Sequence, residues 1–92
     1  MWVRIREISF PTDRIDDVID RVRNTSVARF DGESHRGFRL LVDRPNGRAL
    51  EVSYWEEEAD ARAGDGRGAV SVDVPGGTVE RTDCYELAID AA

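Results

Sequence analysis

Lysine is missing from this chain altogether, and all thirteen basic positions are arginine. They are scattered among nineteen Asp and Glu, for a formal net charge of −6. Phosphate backbones are gripped by clustered cations, so nucleic acid is not an expected partner. Cys84 is the sole cysteine. One chain can therefore form neither an internal disulfide nor a thiolate zinc site, which fits a reducing cytoplasm. No apolar run approaches the roughly 18 residues that span a membrane, so no membrane partner is expected. Met1-Trp2-Val3-Arg4-Ile5-Arg6 interleaves charge with apolar groups, and no secretory signal follows. Histidine, too, occurs once, at His35.

What the chain does have is alternation. At 92 residues, the whole span 1–92 reads as one domain. A core of that size buries only about 60 to 65% of the surface the unfolded chain exposes, which favours oligomerisation. Val3 and Ile5 alternate with Arg4 and Arg6 over 2–10, the period of a half-buried strand, and Pro11 stops it. Thr12 or Asp13 is placed to cap a helix with Asp16 and Asp17 in its first turn. Ile15, Val18, Ile19 and Val22 then recur at i, i+3, i+4 and i+7, an apolar stripe at helical spacing. Residues 27–36 read as a structured loop. Two period-2 runs, 38–43 and 50–55, flank Pro45-Asn46-Gly47, which predicts a β-hairpin.

A short, thinly apolar helix over 56–63 follows, with Gly64 as its stop. Five of the eight glycines fall in 64–77, a loop composition in which Val70, Val72 and Val74 alternate as in a brief extra strand. Residues 79–89 close the chain as a strand. The order β1-α1-β2-β3-α2-β4 predicts an α+β, ferredoxin-like antiparallel sheet with helices on one face. Sorting by parity puts Val3, Ile5, Phe38, Leu40, Val42, Leu50, Val52, Tyr54, Tyr85, Leu87 and Ile89 under the helices. The other side then holds Trp2, Arg4, Arg6, Ile8, Arg39, Leu41, Glu51, Ser53, Trp55, Cys84, Glu86 and Ala88. Two Trp, an Ile and a Leu among charges suit a second sheet better than water, which predicts a face-to-face homodimer through that side.

The stretch from His35-Arg36-Gly37-Phe38 through Pro45-Asn46-Gly47 to Tyr54-Trp55-Glu56 resembles the antibiotic biosynthesis monooxygenase-like family. Members of its dimeric α/β-barrel superfamily have a similar hairpin ending in Trp-Glu before the second helix. Gly77-Thr78-Val79-Glu80 and Tyr85-Glu86-Leu87 resemble the family's closing segment. The resemblance implies a dimeric α/β barrel, a small aromatic or polyketide-like ligand, and cofactor-independent oxygenation. Trp55 matches the family's strand-end Trp. The Asn that its oxygenases carry on an early strand has no match, and neither does the second-helix His of haem-degrading relatives. No cofactor or metal is therefore expected.

The expected ligand site comprises Phe38, Tyr54, Trp55 and Tyr85, between sheet and helices, with no catalytic residue assigned. Trp55 reads first as interface packing, with a pocket wall as the alternative. Asp31, Glu33 and His35 have alternating spacing that can present three side chains to a metal, but turn-forming acids beside Gly32 explain the same residues. His35 and Cys84 read as inert. The alternative function is a non-catalytic dimerisation or accessory protein.

Overall fold

The computed structural model describes residues 1–26, 34–63 and 77–91. Four strands are present: β1 (Trp2–Ser9), β2 (His35–Asp43), β3 (Arg48–Trp55) and β4 (Thr78–Glu86). They form one antiparallel sheet in the order β2-β3-β1-β4, the ferredoxin-like arrangement predicted from the sequence. The helices are α1 (Ile15–Arg21) and α2 (Glu58–Ala63). A 3-10 turn over Thr12–Arg14 leads into α1, and a wider helical turn over Val22–Ser26 continues it. No helix among the described residues is long and apolar enough to cross a membrane.

The helical stripe behaves as its spacing predicts. Ile15, Val18 and Val22 are buried and pack with Ile8, Phe10 and Ala49, and Ile19, Phe38 and Leu40 flank this core. The predicted cap does not form, because neither the 3-10 turn nor α1 receives a side-chain hydrogen bond at its start. Pro11 begins the turn instead, with Arg14 N donating to Pro11 O at 2.9 Å.

Residues 44–47 connect the hairpin, with Gly47 at φ +61°. A Cβ there would run into Phe10 O, and Gly47 O accepts from Phe10 N at 2.9 Å. The glycine thus locks the hairpin to the end of β1. β2 begins at His35, three residues earlier than the alternation suggests, and Ser34 prepares the start of α2. Ser34 O accepts from Glu56 N at 2.9 Å, and its hydroxyl accepts from Glu57 N at 3.2 Å. β4 ends at Glu86, so Leu87 and Ile89 lie beyond it, with Ile89 exposed to solvent rather than under a helix. Gly64 and the valines 70, 72 and 74 lie outside the described residues.

The structure overturns the predicted assignment of faces for β1, β3 and β4 and keeps it for β2. The side carrying Trp2, Arg4, Arg6, Ile8, Glu51, Ser53, Trp55 and Cys84 is the one the helices cover: Ile8 sits in the α1 core, and Cys84 Sγ donates to Ala61 O of α2 at 3.4 Å. Val3, Ile5, Leu50, Val52, Tyr54 and Tyr85 lie on the open side. The cause is the hairpin register. Asp43 pairs with Arg48, so even-numbered residues of β2 share a face with odd-numbered residues of β3. Phe38, Leu40 and Val42 therefore belong with Ser53, Glu51 and Ala49, and not with Leu50, Val52 and Tyr54.

Candidate functional site

The strand registers stack the covered side into cross-strand rows. Trp2, Trp55 and His35 form the outermost, then Cys84, Arg4, Ser53 and Phe38, then Thr82, Arg6, Glu51 and Leu40. Ile8, Ala49 and Val42 form the next, in which Ile8 and Ala49 pack against α1 and Val42 is exposed at the sheet edge. α2 reaches the sheet at Cys84. The row with Arg6 and Glu51 lies between these two anchorages.

Two layers of side-chain chemistry meet there. The first is aromatic. Trp55 is only 5% exposed, and its Nε1 donates to Ser53 Oγ at 2.9 Å. The His35 ring meets the indole edge-on, with centroids 5.2 Å apart. Arg36 closes the outer end of this row through a two-pronged contact with Glu56, at 3.0 and 2.8 Å. The second layer is ionic. Arg6 and Glu51 are both buried, with Arg6 Nε 3.6 Å from Glu51 Oε1. That is too long for a hydrogen bond, and neither Glu51 oxygen accepts one among the described residues.

Burial is what dominates this carboxyl. It raises the Glu51 pKa from 4.5 to about 7, against the opposing pull of the Arg6 charge and then of Arg4. A carboxyl poised near neutrality, beside two guanidinium groups and an aromatic wall, can accept a proton and leave the resulting anion beside cations.

The four expected ligand residues do not share one place. Phe38 and Trp55 lie on the covered side, whereas Tyr54 and Tyr85 stand opposite each other across Val3 on the open side. Arg39 stacks on the Tyr54 ring at 5.3 Å, and Tyr85 is 50% exposed. Tyr85 lines a shallow groove of about 270 Å³ with Ile5, Glu7, Leu50, Arg81 and Asp83. His35 faces Trp55, while Asp31 and Glu33 lie outside the described residues; among the described residues no group of His, Cys, Asp and Glu is arranged to hold a metal. Arg4, Arg6 and Glu51 are the residues that reading by composition misses. Their signal is positional, since each is central in its strand and Arg6 pairs directly with Glu51.

Solved structures with this arrangement place the chain among known folds. MhuD, a heme-degrader from Mycobacterium tuberculosis solved with two hemes in its active site, superposes with a TM-score of 0.73 at 20% identity, covering 100% of both chains. An MhuD point mutant holding two manganese protoporphyrin IX per active site gives 0.77 at 21%, over 100% of this chain and 99% of that one. This chain has their fold. An antibiotic biosynthesis monooxygenase gives 0.63 at 17% identity, over 94% of this chain and 97% of that one. The expected ferredoxin-like fold is thus present, and the MhuD structures superpose on it better than the monooxygenase does. No family model matches the chain, and no curated protein matches it significantly.

Proposed function

We propose that this protein works as a homodimeric α/β barrel that binds a small aromatic, polyketide-like molecule on the covered side of each sheet and oxygenates it. Trp55 and Phe38 supply the aromatic wall, and Arg4, Arg6 and Glu51 the polar end. The observation that carries this reading is a buried indole two rows from a buried, arginine-flanked carboxyl on the helix-covered side of one sheet. Replacing a buried ion pair by well-packed apolar residues is often neutral or stabilising, so stability alone is a weak reason for the pair and use is the better one. The dimer would close over the open side, where Leu41 and Tyr85 are half-exposed beside Val3, Ile5 and Leu50.

The porphyrin of the MhuD structures does not suit the residues present. α2 reads Glu58-Ala59-Asp60-Ala61-Arg62-Ala63 and offers no imidazole to an iron. The His35 ring sits against Trp55 with its Nε2 buried. A metal-free reaction of an electron-rich ring with oxygen needs the ring held and its anion stabilised, and both demands match the proposed residues.

Titrating anthrone- and quinol-type compounds against tryptophan emission, then following their consumption in air without added metal or flavin, tests the reading. Saturable quenching with turnover supports it. Saturable quenching without turnover reduces the protein to a binding or accessory role, and no quenching removes the site.

A further inference from the structure

Resting on that reading, the chemistry of the buried carboxyl narrows the ligand. We propose that Glu51 accepts the proton of a phenol- or enol-type ligand, whose oxygen Arg6 and Arg4 then hold as an anion. Glu51 is 4% exposed, and neither of its oxygens is hydrogen-bonded among the described residues. A buried acceptor in that state is costly unless a donor arrives, and the missing donor is an O–H or N–H. A ligand cation is a poor candidate for it, because Arg6 at 3.6 Å and Arg4 one row away already bias the site toward anions. A neutral weak acid satisfies both demands. It gives its hydrogen to the carboxylate and keeps the electron pair beside the guanidinium groups.

The step is a simple proton transfer. The ligand O–H bond breaks with its electron pair remaining on the ligand oxygen, and a new O–H bond forms on a Glu51 oxygen. A cation about 4 Å from the anion, at the effective dielectric typical of protein, favours ionisation by roughly three pK units. That offset matches the gap between an ordinary phenol near 10 and a carboxyl at about 7. Arg6 shares the row of Glu51, Arg4 and Cys84 lie one row away, and His35 lies two rows away beside Trp55. On α2, which reaches the sheet one row away at Cys84, are Asp60 and Glu58, the latter paired with Arg62 at 2.9 Å.

The test uses 2-naphthol, which is largely neutral in water at about pH 8 and absorbs further to the red once ionised. Binding is read separately, by quenching of tryptophan emission. Bound naphthol carrying the ionised band at about pH 8, with that band fading as pH falls through about 7, is the expected result for the wild type. Per molecule bound, naphthol on Glu51→Gln should show at least tenfold less of the ionised band than on the wild type, whatever the affinity of the variant. Binding with only the neutral spectrum in the wild type would overturn the role of Glu51 and leave the aromatic site standing. Absence of any quenching would overturn both. If Glu51→Gln does not fold, the pH profile of the band in the wild type decides alone, since naphthol ionising at its own solution pKa contradicts the proposal.

Discussion

Glu51 exerts its effect on stability through the proton it holds. Its folded pKa of about 7 exceeds the ordinary 4.5, chiefly because burial disfavours the charge. Between those values the folded state binds more proton than the unfolded chain, so this residue makes stability fall as pH rises. The loss begins near pH 4.5 and is complete above about 7, amounting to roughly 3 kcal/mol over that window. Gln at this position carries no such dependence. Urea unfolding at pH 5 and pH 8 should show Glu51→Gln gaining on the wild type as pH rises, and a difference independent of pH would show that the carboxyl is not buried as described. At this scale the sequence was only partly legible. Trp55 and Phe38 stand out by type and do share the covered side. Arg6 and Glu51 look like any two surface charges until the register sets them side by side in the dry layer.

Among the elements, α1 and the hairpin were the most readable, because each carries its own periodicity. The stripe Ile15, Val18 and Val22 is buried as its spacing requires, and the Asn46-Gly47 turn forms between the two paired strands. Which side of the sheet α1 covers was not readable from apolar content, because both sides are rich in large side chains. The informative residues were Ile8 and Phe10, the last apolar pair before the helix, which pack directly against it. The small Ala49 opposite Ile8 leaves room for that contact. Gly47 is the element-scale weak point. Gly47→Ala meets both a left-handed φ of +61° and the Phe10 carbonyl, and should cost about 1 to 3 kcal/mol in a denaturant melt. An alanine tolerated without loss would mean that the turn is not clamped to β1.

For the molecule as a whole, the described helices leave one broad sheet face uncovered. Leu41 is 51% exposed and Tyr85 50% exposed, on either side of the buried Val3 and Val52. Stacking two such faces hides these residues without touching the site under the helices. Light scattering should therefore report a dimer for the wild type and a monomer for the double change Leu41→Arg and Tyr85→Arg. In that monomer Trp55 should stay shielded from iodide, because its cover comes from its own chain. A wild-type monomer at micromolar concentration would remove the barrel while leaving the ferredoxin-like unit intact.

The four-residue connection between Asp43 and Arg48 reaches beyond the hairpin. Deleting a single residue from 44–47 would roll the outer strand half a turn, trading Phe38 and Leu40 for Arg39 and Leu41 against the core. Deleting two would restore the original orientation, so length changes in this loop should be accepted in even steps and rejected in odd ones, a parity rule that a small panel of loop variants would expose by their yield of folded protein.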